Sequence, residues 1–342
     1  MQTSVFKIEY IDIFKSDKWD NFVSRSSLGT VFQSSVYVKS VREAFNRPVE
    51  TICVTHGGEI LGGVILYPGK HLGLSYVPRP YFIPFNGFIL NDFPEVSYYF
   101  RKISLQNSVL SLLRDELERH FLYCSLHQTQ ELIDLRNLLW HGWQITPEYT
   151  VIIPLQVNGE IFSRIDRYQR RRIRTLETED LIFSEEIIPE EFFVLMGKSY
   201  HSHQLQPPLS ADKWINFIKQ LQNNNLARTF GLKIGDKLVT ALLTVESEPN
   251  VYGLFSGRET GPEYSGMEIY LIWKVMEYYR SRNFKNFDLL GAMVPSIAKT
   301  KLELGGILKR SDSLLYYKNK MIRSLVSIEM WFRRQKRVSI GI

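Results

Sequence analysis

Lys301 sits in the stretch "FDLLGAMVPSIAKTKLELGG", Phe287 to Gly306, where a run of buried-strand character ends at a Gly291-Ala292 corner. A helix carrying Lys301 follows and stops at Gly305-Gly306. A strand that needs only burial has no use for such a corner. A strand whose tip meets a ligand does, because glycine has no Cβ and admits close backbone approach. Upstream, "SGRETGPEYSGMEIYL" places a glycine-rich turn before a long helix. Free backbone N–H groups and the positive end of a helix dipole make such a turn a phosphate site. Each feature has a plainer reading: Lys301 as a solvated helix lysine, Asp288 as a partner for a nearby cation, the turn as a simple cap. No G-x-S-x-G nucleophile elbow is present. His201 and His203 form an H-x-H without a third ligand nearby in sequence, so a polar helix end is expected there and no metal site.

These segments need a scaffold, and 342 residues suit two domains. Hydrophobic residues make up 44% of the chain, enough for packed cores, yet no apolar run is long enough to span a bilayer. The N-terminus lacks the charged start and apolar run of a signal peptide, and a cytoplasmic protein is expected. Cys53 and Cys124 lie in apolar strand-like runs and read as small buried hydrophobes. The net charge is +6, and the segment from Lys318 to Arg337 holds seven cations against Glu329, so it accounts for the whole excess.

The element order is nearly duplicated. Residues 3–13 read as a first strand and "SDKWDNFVSRSS" as a short helix. A hairpin turns at His56-Gly57-Gly58, and the stripe Leu105, Val109, Leu112, Leu113 and Leu117 predicts an amphipathic helix. A buried strand "FLYCSL", a helix around 129–139 and a strand "YTVIIPL" close this half. Two helices, a hairpin at Gly235-Asp236, a strand "NVYGLFSG", a long helix, "FKNFDLL", a helix and "DSLLYYK" then repeat the pattern. The fold class is α/β with mixed α+β sheets.

Several segments, taken in order, resemble the tandem-GNAT acyltransferases of the Fem type, which add amino acids to cell-wall precursors. They are "GTVFQSSVYVKSV", "NGFILND", "RRRIR", "VYGLFSG" and, best, "FDLLGA…IAKTKLELGG". The resemblance implies two GNAT-like domains, 1–155 and 156–317; the charge and apolar stripe of the remaining residues predict a basic amphipathic helix over 318–342. In a GNAT domain two parallel strands splay and the acyl donor lies in the gap; here these would be Val251–Gly257 and Phe287–Leu290. By the same resemblance Lys301 and Asp288 are catalytic, and Arg258, Gly261, Ser265, Gly266, Gly291 and Ala292 hold the donor. Lys39, Tyr252 and Ser256 would contact the acceptor. Arg258, Gly261, Ser265 and Gly266 form only a degenerate version of the GNAT coenzyme A motif.

The implied reaction is transfer of an acyl or aminoacyl group to a primary amine of a cell-envelope, amino-sugar or polysaccharide precursor, small or lipid-linked. It needs a neutral amine and a stabilised oxyanion, where one backbone donor is typically worth about 3 kcal/mol, but no metal and no triad. The donor is acyl-CoA or an aminoacyl-tRNA. The Fem-type tRNA-binding arm and the second-domain arginine for a nucleotide diphosphate are both missing, the latter from "HSHQLQPPLS", which favours acyl-CoA. The alternatives are an aminoacyl-tRNA-dependent peptidoglycan bridge-forming transferase, or a membrane- or RNA-binding protein without activity.

Two basic segments stand outside this scheme. "RIDRYQRRRIR" holds six arginines in eleven residues and reads as a solvated face or as a phosphate-facing patch. Between Lys318 and Arg337, Met321, Leu325, Ile328 and Phe332 form one apolar stripe among cations. That helix either packs its stripe on the fold or lies on an anionic membrane, which would bring the protein to the inner membrane face.

Overall fold

The computed structural model describes residues 6–328 apart from 16, 72, 133, 158–159, 203–205 and 208. It divides into two compact units, Met1–Pro147 with Arg310–Trp331 and Glu148–Lys309 with Phe332–Ile342.

In the first unit, β1 (Lys7–Tyr10), α1 (Lys18–Arg25) and α2 (Ser35–Phe45) precede a hairpin of β2 (Glu50–His56) and β3 (Glu59–Leu66). The hairpin turns on Gly57 and Gly58, both at positive φ, the backbone its two-residue loop requires. A small ladder of β4 (Gly69–His71) and β5 (Leu74–Tyr76) and the short β6 (Ile89–Leu90) follow. The antiparallel sheet order is β1-β2-β3-β6. Trp19 of α1 is fully buried over it: Gly63 leaves room for the indole, whose Nε1 donates to the Gln33 carbonyl at 2.7 Å. The long helix α3 (Tyr99–His120) buries Val109, Leu110, Leu113 and Leu117, while Leu105 and Leu112 stay half-buried. Then come β7 (Tyr123–Gln128) and α4 (Arg136–Trp140). The helix expected around 129–139 is therefore confined to its last turn. Asp134 breaks it, accepting the Arg136 N–H on its own side chain, the local bond by which aspartate starts helices and does not continue them.

The strand β8 (Gln144–Pro154) runs into the second unit, which continues with α5 (Arg167–Leu176), β9 (Ile182–Glu185), α6 (Pro189–Ser202) and α7 (Ala211–Asn223). A hairpin of β10 (Ala227–Ile234) and β11 (Lys237–Ser247) leads to β12 (Asn250–Arg258), α8 (Met267–Ser281), β13 (Asn286–Asp288) and α9 (Pro295–Glu303). The strand order here is β8-β13-β12-β11-β10-β9. β11 is buried along seven consecutive residues, as a strand covered on both faces must be. α5 and α8 cover one face, with Phe230 against Tyr278 and Tyr279. α6 and α7 cover the other, where Trp214 meets Phe192 and Phe255. The last strand, β14 (Ile307–Tyr317), returns from Arg310 onward to the first unit and pairs antiparallel with β7.

The first unit repeats the order hairpin–strand–helix–strand, but the residues leading into β6 are tied to β7 by the Asn86 N–H, which donates to the His127 carbonyl at 3.1 Å, and by side chains. The Gln128 amide donates to the Phe88 carbonyl and accepts its N–H, at 3.0 and 2.8 Å. Asn86 Oδ1 accepts the His127 N–H at 2.9 Å, and Gln33 Nε2 donates to the Gly87 carbonyl at 3.1 Å. His127 itself is held neutral, its pKa pulled down to about 3 by burial and then by Arg79, and its Nε2 bonds Ser311. Gln128→Ala would orphan two backbone groups at a fully buried residue, each costing roughly 1–3 kcal/mol. Urea unfolding should show a loss of at least about 2 kcal/mol on that basis; a change near zero would mean the gap here is not sealed by Gln128.

Candidate active site

The site forms where β12 and β13 part. They pair in parallel at three positions only, Asn250 with Asn286, Val251 with Phe287 and Tyr252 with Asp288. Beyond that point β13 stays with β8: the Leu289 N–H donates to the Val151 carbonyl at 2.9 Å and the Ala292 N–H to Tyr149 at 2.7 Å. β12 runs on to Arg258 beside β11 alone, through a bulge at Leu254 where Leu243 faces Phe255 and Thr244 faces Gly253. Bulges bend a strand and re-aim its side chains. The edge of β12 past Tyr252 therefore faces no strand among the described residues, and exposure rises from buried Tyr252 to exposed Ser256.

The opposite wall is the corner at 288–292. Leu290 has φ +53° and Gly291 φ +21°. A leucine in the left-handed region is strained, so the surroundings must enforce it, and three groups do. The buried Asp288 accepts the Leu290 N–H at 2.8 Å and the hydroxyl of buried Thr150. Lys301, reaching back from the last turn of α9, donates its Nζ protons to the carbonyls of Leu289, Leu290 and Gly291 at 2.8, 2.6 and 2.8 Å. Burial pulls the Lys301 pKa down to about 8, against the opposing pull of Asp288 and Glu268. No side chain stands within 4 Å of where a Cβ on Gly291 would lie.

The glycine-rich loop lies between β12 and α8. Gly266, at φ +88°, precedes α8, whose first N–H groups lack intrahelical partners. Arg172 of α5 donates to Ser265 Oγ at 2.8 Å, and its guanidinium lies 2.8 Å from where a Cβ on Gly266 would be. Gly266 thus meets two demands, positive φ and room for a cation. Gly261, at φ +141°, turns the loop over the Glu263 side chain. Glu268, in the first turn of α8, accepts the Ser256 hydroxyl at 2.9 Å and lies 3.7 Å from the Arg258 Nε. The Arg258 backbone N–H is taken by Ser199.

The second unit thus brings together Asp288, Gly291, Ala292 and Lys301 on one wall, Tyr252 and Ser256 on the other, and Arg258, Gly261, Ser265 and Gly266 in the loop. Lys39 belongs to the first unit and is exposed on α2. Thr150, Arg172 and Glu268 were not singled out from sequence. The arginine-rich run carried a signal for Arg172, and Glu268 lies in the quoted glycine-rich segment with its partners Ser256 and Arg258; nothing local marks Thr150, whose partner Asp288 is remote in the chain. Among the described residues no group of three or more His, Cys, Asp or Glu is arranged to hold a metal; His203 lies outside them. Cys53 and Cys124 are free and buried.

A parallel strand pair parting beside a glycine-rich helix start, in a chain of nearly duplicated element order, defines the class of tandem GNAT folds. Residues 163–295 match the acetyltransferase (GNAT) domain model. Among curated proteins none matches the sequence. Among solved structures the chain is similar to FemX, with a TM-score of 0.69 at 13% identity over 94% of this chain and 99% of that one. A tandem GNAT protein from the clavulanic acid biosynthesis pathway gives 0.55 at 10% over 92% and 99%. L-PGS from Bacillus licheniformis gives 0.54 at 11% over 90% and 93%. At these identities the likeness is one of fold.

Proposed function

We propose that the protein is an N-acyltransferase that passes an acyl or aminoacyl group to a primary amine of a cell-envelope, amino-sugar or polysaccharide precursor, through the gap between β12 and β13. The parting of the two strands beyond Tyr252 and Asp288 carries this reading. The bare edge of β12 offers backbone donors and acceptors to an extended donor arm. The α8 start, with Ser265, Gly266 and Arg172, would hold the donor's phosphate, a group that acyl-CoA and aminoacyl-tRNA both bear. Arg258 is the second cation of this loop.

Lys301 and Asp288 act in this scheme as positioning residues. Their donors and acceptors are spent on the corner, which they hold with its backbone turned to the gap. The N–H groups of Leu289, Leu290 and Ala292 are taken by Val151, Asp288 and Tyr149, so the Gly291 N–H is the corner donor proposed to stabilise the oxyanion without reorganisation. Glu268, beside Ser256, would serve as the general base that accepts a proton from the incoming ammonium, leaving the neutral amine to attack. Tyr252 and Ser256 line the acceptor side of the gap; Lys39, exposed on α2, is a separate proposed contact for the acceptor.

Acyl-CoA is the favoured donor, given the missing tRNA arm and diphosphate arginine. A lipid-linked acceptor, peripheral contact with an anionic membrane through 318–337 and a place at the inner membrane face belong to the same proposal. Residues 320–328 are helical, and Met321, Leu325 and Ile328 are exposed, so the described part of the stripe is not packed on the fold. No helix among the described residues is long and apolar enough to cross a membrane. The deciding experiment is thermal unfolding with coenzyme A thioesters and, separately, with charged tRNA, since a ligand bound only by the native state raises Tm. A rise with thioesters alone is expected; a rise with charged tRNA alone moves the protein to the aminoacyl-transfer alternative, and no rise with either favours a binding protein.

A further inference from the structure

Among its described residues the first unit carries its most exposed aromatic side chains together. Tyr98, Tyr99 and Phe100, consecutive at the start of α3, are 68%, 73% and 79% exposed, and Trp140 on α4 is 69% exposed. α3 and α4 are tied together: Asn107 of α3 donates to Asp134 at 3.1 Å, Asp134 pairs with Arg136, and the Arg136 guanidinium sits over the Trp140 ring at 5.6 Å. Arg101 covers Tyr98 at 5.3 Å from the ring centre, and Lys102 follows it. No carboxylate occurs from Val96 to Arg114. Contiguous apolar surface of this kind is rarely left in water without a partner.

We propose that this patch docks the first unit on an anionic lipid surface. The residue types fit a bilayer interface better than a protein groove. Tyrosine and tryptophan have apolar bodies with polar tips that settle at the headgroup level. The cations Arg101 and Lys102 stand beside them, complementary to anionic headgroups within a Debye length, while Arg136 is neutralised by its two-point pair with Asp134. The same unit carries the unpacked stripe of Met321, Leu325 and Ile328 among Lys318, Lys320 and Arg323, a second surface of the same chemistry. The inference concerns binding alone and stands or falls apart from the acyltransferase reading.

The test uses the purified full chain in co-sedimentation with phosphatidylcholine vesicles made with and without phosphatidylglycerol. Binding should require phosphatidylglycerol and weaken with added salt. The triple variant Tyr98→Ser, Tyr99→Ser, Phe100→Ser should bind about tenfold more weakly, and Trp140→Ser should weaken binding in the same direction, by the apolar area each removes from the interface. A serine at 98 occupies a helix N-cap, which it favours, so the variant keeps α3. Equal binding by both variants and the parent would overturn the proposal, as would failure of the parent to bind either vesicle. A parent that self-associates, with variants that become monomeric at unchanged vesicle binding, would also overturn it and assign the patch to a second copy of the chain.

Discussion

Lys301→Met lowers kcat by about 100-fold with little change in donor KM, the size of loss that misplacing reacting groups by about 1 Å produces. Methionine keeps the length and apolar body of the side chain but removes all three bonds to the corner carbonyls. Leu290 is then free to leave its left-handed conformation, and the backbone facing the gap loses its fixed direction. Lys301→Arg retains charge and should recover part of the rate. Steady-state kinetics against both substrates would check this; full activity in the methionine variant would remove Lys301 from the mechanism. The pH profile gives an independent reading. The folded protein releases the Lys301 proton near pH 8, while an exposed lysine holds it to about 10.5. Between these values the unfolded chain binds more protons, so this group's contribution to stability increases with pH. A fall in kcat above pH 8, absent in Lys301→Met, is therefore a loss at the site and not unfolding.

Arg172→Ala raises donor KM by roughly tenfold or more and leaves kcat nearly intact, because a bond from a charged group to an anion is worth about 1.5–3 kcal/mol. Gly266→Val should do at least as much: a branched side chain is forced into φ +88° and into the space Arg172 occupies. Donor titrations at saturating acceptor would show the change. A variant that alters kcat and leaves KM untouched would move the phosphate away from the α8 start.

The corner, the glycine-rich loop and the duplicated order were legible in the sequence because each is local. Gly291, Gly266 and the two hairpin turns declare their backbone needs within a few residues. The gap itself was inferred from family resemblance; its physical basis is a competition that local sequence does not display. β13 is three residues long, and the residues after it bond to β8, a strand more than 130 positions earlier. Thr150 on β8, whose hydroxyl helps fix the corner, is likewise remote, whereas Lys301 lies only 10 to 12 positions on. The length of β14 and its return to the first unit were equally hidden, since "DSLLYYK" marks only the part that pairs with β7. The sealed counterpart between β6 and β7 depends on Gln128, Asn86 and Gln33, amides that look like ordinary polar residues until their burial is known.

The central claim, that a donor enters between β12 and β13, is tested most directly by amide hydrogen exchange of the full chain with and without a saturating coenzyme A thioester or charged tRNA, whichever raises Tm. Slowed exchange at residues 253–258, 266–270 and 289–292, with no change at 86–90 or 124–128, is the predicted result. Protection that spares the parted strands and falls elsewhere, with the ligand demonstrably bound, would contradict it.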